Sequence, residues 1–331
     1  QELSWRSLAQ RRRYSNGLDA VEARLAEVAG AYAGPLGAAA RSTLAAGGKR
    51  VRPLLALLCA SRHAPIPAAV VRAAAATELL HMATLVHDDV LDSAELRRGR
   101  ATVAHEYGVE TAVSTGDFLL ARAFAELALT GDATAVALLS QTAVGLSEGE
   151  VFQRQEAFDV TLTVAAYRRR CERKTADLFA AAARLGALLS GVDARQQQVL
   201  WEYGRLLGLA FQVFDDILDL SGDESRTGKR LGADIRDGTV TLPLIYALEA
   251  RPDLGPRLRD GAALDETAVA AVIADVRATG AIERARDVAI RSIEEARRLL
   301  QTASDDVERD LLEEVARAVV DRFGCATPGA P

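Results

Sequence analysis

Two short acidic stretches, His87-Asp88-Asp89-Val90-Leu91-Asp92 and Phe214-Asp215-Asp216-Ile217-Leu218-Asp219, lie inside long apolar segments, where unpaired charge is costly. On a helix, positions i and i+4 share a face, so Asp88 stands over Asp92 and Asp215 over Asp219. Like charges at that spacing repel, and a cation between them is expected. The groups are hard carboxylate oxygens with no Cys or His spacing beside them. That set suggests magnesium, which takes one or two carboxylates and completes its shell with phosphate oxygens. A single stretch of this kind also reads as a solvated acidic face. Two copies, each flanked by Val, Leu, Ile or Phe, point to a paired metal site.

The segments around them carry a helical period throughout. Residues 1–16 are polar, include Arg11-Arg12-Arg13, and read as a solvated arm. Leu18, Val21, Leu25, Val28 and Tyr32 then recur at helical spacing until Gly34-Pro35. Further helices are predicted over about 68–93, 110–130, 132–157 and 163–190. Another, capped by Asp193, runs through the second acidic stretch, and more follow over 267–279, 281–302 and 305–323. Asp132 and Thr163 are expected N-caps. Residues 222–240, rich in Gly, Asp, Lys and Arg, read as a mobile loop suited to closing over phosphate. Pro243 falls in the first turn of the next helix, and 325–331 form a tail. No strand run flanked by turns is visible. The expectation is one all-α domain, a single large helical bundle over 1–331, with both Asp-rich motifs facing a central cavity.

Composition narrows what such a bundle can serve. At 331 residues with 49% hydrophobic content the chain can bury a large core. A net charge of −6 argues against a nucleic-acid partner. Cys59, Cys171 and Cys325 are scattered and lack metal-ligand spacing, which suggests a reduced, cytoplasmic setting. No uninterrupted apolar run approaches the roughly 18 residues of a transmembrane segment, and the first residues are too polar for a signal peptide.

Cations gather close to the acidic stretches. Gly47-Gly48-Lys49-Arg50-Val51-Arg52-Pro53 stops one helix and starts the next, so its cations stand beside backbone amides at a helix N-terminus, a favourable place for phosphate. Read alone it is also a plain solvated turn. His81 lies two helical turns before Asp88 on nearly the same face; it is compatible with a core position or with ligand binding. Leu96-Arg97-Arg98-Gly99-Arg100 adds guanidinium groups, which grip phosphate bidentately. Lys174-Thr175 and Gln153 stand out in later helices but are compatible with plain helix-surface positions.

The order of these motifs resembles the trans-isoprenyl diphosphate synthases, the polyprenyl synthetase family. The resemblance runs from Gly47-Gly48-Lys49-Arg50-Val51-Arg52-Pro53 through the first acidic stretch, Arg97-Arg98-Gly99, Gly116-Asp117 and Lys174-Thr175-Ala176. It continues with Phe211-Gln212 and the second acidic stretch, Gly228-Lys229 and Thr241-Leu242-Pro243, spanning roughly residues 20–300. It implies that Lys49, Arg52, His81 and Arg98 bind the diphosphate of isopentenyl diphosphate. It implies that Asp88, Asp92, Asp215 and Asp219 hold magnesium, with three ions expected, against an allylic diphosphate. Arg97, Lys174, Thr175, Gln212 and Lys229 would complete that allylic site, and Asp89 and Asp216 belong to the same catalytic motifs. A homodimer is implied, with peripheral membrane contact for product release. Where the family often carries a lysine before Thr-Leu-Pro, this chain has Thr239, which removes one phosphate-binding cation.

The reaction implied is head-to-tail condensation: ionisation of an allylic diphosphate, attack by the double bond of isopentenyl diphosphate, and proton loss. Family members that stop early carry bulky aromatics four and five residues before the first Asp. Here these are Thr84 and Ala83, with Leu80 a turn further down, which favours products longer than C20 over farnesyl or geranylgeranyl diphosphate. Close helix packing is the other reading of those small residues. A class I terpene cyclase would not need the Lys49-Arg52-His81 pocket, and a non-catalytic partner subunit would be expected to have lost aspartates that this chain retains.

Overall fold

A computed structural model describes residues 12–221, 231–259 and 263–324. The chain opens with α1 (Arg12–Gly30), α2 (Gly34–Ala45), α3 (Val51–Leu58) and α4 (Ala68–Leu91). The arm expected over 1–16 is therefore helical from Arg12 onward. Tyr14 is fully buried, and Arg13 donates to the carbonyls of Ser61 and Arg62 at 2.5 and 2.6 Å. Burying one tyrosine draws Arg13 against the fold.

Helix α4 is the axis of the molecule. It is apolar on all sides and rich in alanine, so neighbouring helices approach closely, and Val70, Ala73, Leu79, Leu80, Met82, Ala83 and Val86 are all buried. By length and composition α4 passes for a membrane-crossing helix, the only such helix among the described residues, but 67% of its most apolar window is buried inside the protein. It is a core helix, and its polar positions are where the chemistry collects.

A tight hairpin follows, β1 (Leu96–Arg97) paired antiparallel with β2 (Arg100–Ala101). Strands of two residues are too short to leave a period in the sequence, which is why none was expected. Next come α5 (Val103–Tyr107), α6 (Val109–Ala128) and α7 (Ala133–Gln155), then α8 (Val164–Cys171) and α9 (Asp177–Leu189), joined by a π-helical turn over Glu172–Ala176. Asp132 and Thr163 cap as expected, accepting from the amides of Ala135 at 2.9 Å and Ala166 at 3.2 Å. Then follow α10 (Ala194–Ser221), α11 (Ala233–Asp237), α12 (Leu242–Ala250), α13 (Gly255–Arg259), α14 (Glu266–Ala278), α15 (Ala281–Leu300) and α16 (Arg309–Gly324). The stretch expected as a loop thus contains the one-turn helix α11, while residues 222–230 lie outside the described residues.

α4 packs on α6, α3, α9 and α1; α10 packs on α9 and α15. One continuous apolar core joins them. Glu126 of α6 is fully buried within it, its oxygens receiving two 2.7 Å bonds from Arg24 of α1 and one of 2.9 Å from Arg72 of α4. Cys59 and Cys171 are buried free thiols.

Candidate active site

The first acidic stretch occupies the last turn of α4. Asp92 is its C-cap, with its amide on the Asp88 carbonyl at 2.8 Å. Asp88 is half-buried, and burial pushes its carboxyl up to about 6 against the pull of Lys174, with Glu150 and Asp92 pushing the same way as burial. Asp89 faces inward and accepts Arg97 Nε at 2.6 Å, fastening the hairpin to α4. Asp92 is exposed and pairs with Arg154 at 3.3 Å, whose Nε reaches Glu150 at 3.1 Å.

The second stretch divides in the same way. Asp215 is exposed, whereas Asp216 is buried and accepts from Tyr167 Oη at 2.6 Å and Gln212 Nε2 at 2.8 Å. Burial pushes Asp216 up to about 7, with those two hydrogen bonds opposing. Asp219 spreads its two oxygens over the amides of Ala233 at 3.0 Å and Asp234 at 3.1 Å, capping α11. Asp234 then stands beside Asp219, Asp216 and Asp215, and burial with these neighbours holds its carboxyl well above the ordinary range. At the other end of α11, Asp237 is raised by burial and by the charge of Asp92. α11 thus links the two motifs. The six aspartates sit at the boundary of the bundle, two buried, two half-buried and two exposed, because six clustered carboxylates cannot all leave water.

Between the motifs lies the π-helical turn, a rare form that concentrates at functional sites. It carries Lys174, whose Nζ bonds Glu150 Oε2 at 2.7 Å and Gln153 Oε1 at 3.0 Å, and Thr175, whose hydroxyl donates to Gln212 Oε1 at 2.7 Å. Lys174 and Gln153, separate helix-surface residues in the sequence, are direct partners. The turn comes close because Gly149 of α7 and Gly208 of α10 face its backbone.

A cationic pocket adjoins the first motif. Arg50, at a left-handed φ of 52°, begins α3 and is held by buried Glu78 at 2.8 Å and by Glu22. Arg98 donates to the Gly47 carbonyl. Arg52 lies over the Phe179 ring at 4.6 Å, and burial pushes its guanidinium down to about 10. His81 is half-buried; desolvation, then the charges of Arg52, Arg98, Arg97 and Arg50, hold its imidazole neutral. Arg50, Glu78, His81, Arg97 and Arg98 line one small cavity, so Arg97, implied for the allylic side, opens onto the same space as Arg98. Lys49 is exposed beside it. Lys229 lies outside the described residues. Of the chain-length positions, Ala83 and Leu80 are buried, and half-buried Thr84 donates to the His81 carbonyl at 2.8 Å.

Among the described residues, no three His, Cys, Asp or Glu side chains converge tightly enough to hold an ion unaided. The donors still suit magnesium: all are oxygens, and no described residue donates a hydrogen bond to the partly desolvated Asp88 carboxylate. Such an ion draws the rest of its shell from water and phosphate.

A profile for the polyprenyl synthetases matches residues 35–277. The chain belongs to the polyprenyl synthetase family. It is 39% identical over 302 residues to heptaprenyl diphosphate synthase component 2 of Geobacillus stearothermophilus, covering 91% of this chain and 94% of the relative. It is 35% identical over 289 residues to geranylgeranyl diphosphate synthase of Methanosarcina mazei, covering 86% and 89%. A decaprenyl diphosphate synthase structure from Rhodobacter capsulatus superposes with a TM-score of 0.88 at 33% identity, covering 96% of this chain and 99% of that one. The all-helical fold and the prenyltransferase class follow. Asp234, Asp237, Glu150, Arg154 and Tyr167 are the site neighbours that sequence reasoning missed.

Proposed function

We propose that this prenyltransferase condenses isopentenyl diphosphate with an allylic diphosphate, 1'-4 and all-trans, to a polyprenyl diphosphate longer than C20. The observation that carries the reading is the sorting of charge. A guanidinium pocket around Arg52, Arg98 and His81 adjoins a carboxylate set, with Lys174, Thr175 and Gln212 beside Asp88 and Asp216. One diphosphate suits the first pocket unaided, whereas the second needs a bridging cation. Asp88, Asp92, Asp215 and Asp219 would hold magnesium, which when bound neutralises the departing pyrophosphate and lowers the barrier to ionisation. Arg52, Arg98 and His81 orient isopentenyl diphosphate so that its double bond faces the allylic carbon. Thr175 and Gln212 present oxygen dipoles to the developing positive charge. Enclosure keeps water from quenching it.

Two observations favour a long product. Residues 83 and 84 are small, one turn below Asp88, and the relatives include synthases named for heptaprenyl, octaprenyl and decaprenyl products. Incubating the purified chain with excess isopentenyl diphosphate and farnesyl diphosphate, and sizing the products, tests this; elongation that stops at C20 refutes it. We further propose a magnesium-dependent homodimer acting in the cytoplasm, with peripheral membrane contact as the product leaves. The relative named "component 2" favours a second reading, that turnover needs a different partner subunit. Light scattering with activity of the single chain separates the two.

A further inference from the structure

We propose that Tyr167 is a positioning residue of the allylic site, acting through Asp216 and Gln212 on the Thr175 hydroxyl, and that Asp216 serves this chain of hydrogen bonds rather than a metal ion. The inference rests on the reaction proposed above. Tyr167, Asp216 and Thr175 are 3, 5 and 7% exposed, so their polar atoms must satisfy one another. Tyr167 Oη stands 2.6 Å from Asp216 Oδ2, Gln212 Nε2 is 2.8 Å from Oδ1, and Thr175 Oγ1 is 2.7 Å from Gln212 Oε1.

The polarity of this chain runs from one end: both oxygens of Asp216 stand as acceptors, from Tyr167 Oη and from Gln212 Nε2. Tyr167 spends its single proton on one oxygen of Asp216, and the Gln212 amide turns its NH2 to the other. Gln212 Oε1 must then point to Thr175 and take the one hydroxyl proton that Thr175 has. What Thr175 Oγ1 offers on its remaining side is lone pairs only. Beside a carbon that becomes positive, an oxygen fixed as an acceptor stabilises charge and costs no reorientation during reaction. Asp216 is buried with both oxygens occupied from within the protein, whereas Asp215 is exposed and Asp219 half-buried, so the metal-facing groups of the second motif are Asp215 and Asp219.

The geometry also explains why a residue on α8 has a part in this. Tyr167 precedes Lys174 by seven residues in a helix that passes through the π turn into α9. Gln212 and Asp216 are one turn apart on α10. Tyr167–Asp216 and Thr175–Gln212 are two rungs between these helices, so the upper rung sets the register in which the π turn meets α10.

The test compares Tyr167→Phe, Asp216→Asn and the double variant with the parent. The readouts are kcat, KM for each substrate, calorimetric binding of inorganic pyrophosphate with magnesium, and thermal midpoint. Tyr167→Phe is expected to lower kcat about tenfold, with both KM values and pyrophosphate binding within about twofold. In the Asp216→Asn background the same change should add less than about twofold, because groups acting in one network are not additive. A lowered midpoint with unchanged kcat would mean a merely structural tyrosine and overturn the proposal. Losses that multiply in the double variant would overturn it too. If Tyr167→Phe does not fold by circular dichroism, Asp216→Asn alone decides. Its NH2 faces Gln212, reverses that amide and should lower kcat while pyrophosphate binding holds; weakened binding would instead make Asp216 a metal ligand. A parent that makes no elongated product refutes the proposed reaction, whereas an active parent with parent-like variants refutes only this inference.

Discussion

Gly149→Ala is expected to damage turnover far more than stability. A β-carbon on Gly149 would stand 2.7 Å from the Lys174 amide nitrogen, 3.0 Å from its Cα and 3.1 Å from the Arg173 carbonyl carbon. Comfortable contact between such atoms is about 3.5–4.0 Å, so α7 and the π turn must part by about 1 Å. Overpacking of this kind costs about 1–3 kcal/mol, and alanine in place of helical glycine returns about 1 kcal/mol. The net loss of about 0–2 kcal/mol corresponds to a midpoint shift of no more than about 5 °C. Displacing Lys174 and Thr175 by about 1 Å, however, lowers turnover by up to about a hundredfold. Gly145→Ala, one turn earlier on α7, is the control. Its β-carbon meets only the side chains of Asp177 at 3.3 Å and Arg173 at 3.4 Å, so activity is retained. Thermal melts beside steady-state kinetics on both variants decide the matter. If Gly149→Ala turns over within threefold of Gly145→Ala, the close approach does not position the catalytic turn.

Four further outcomes are expected. Glu126→Gln weakens two charge-assisted contacts to its half-buried arginine partners and should destabilise the protein by about 1.5–3 kcal/mol, read by urea titration near neutral pH. Burial works against ionisation of Glu126, but Arg24 and Arg72 outweigh it and hold its carboxyl below the ordinary range. Its contribution is therefore complete above an unfolded value of about 4.3 and is lost as pH falls through the folded one, so the difference between parent and Glu126→Gln should shrink on acidification. Asp88→Ala should abolish condensation with the melt preserved; turnover within tenfold of the parent at saturating magnesium would sink the metal assignment. Arg52→Ala should raise KM for isopentenyl diphosphate, and Lys229→Ala that for the allylic primer. Each loss should be about ten- to hundredfold, a charge-assisted phosphate contact being worth about 1.5–3 kcal/mol, and equal effects on both substrates contradict the division. Ala83→Phe should shorten the products resolved by chromatography without stopping the first addition; an unchanged length distribution places the limit elsewhere.

The aspartate motifs were legible because charge inside apolar helical sequence needs a reason. The caps Asp132 and Thr163 were legible because capping is local. Tyr167 was not, since its partner Asp216 is 49 residues away and no short pattern joins a tyrosine on one helix to an aspartate on another. The π turn left no period of its own. Its trace is indirect: Gly145-x-x-x-Gly149 and Gly204-x-x-x-Gly208, small residues one turn apart in helices that must let a backbone come near. Asp234 and Asp237 were hidden in a glycine-rich stretch. Asp219, on the preceding described helix and 14 residues before Ala233, caps the first amides of α11.

The arginine clasp on Glu126 also imposes an order on how the chain is made. Arg24 leaves the ribosome 102 residues before the carboxylate that receives it. At about 5–20 residues per second, α1 waits roughly 5–20 s for that partner, long after its own helix can have formed and melted many times. The apolar neighbours of α1, helices α2, α3 and α4, are made before α6, so what α1 lacks until then is the carboxylate that anchors Arg24. A nascent chain arrested before residue 126 should hold its first helix less firmly against proteases than one arrested beyond α6.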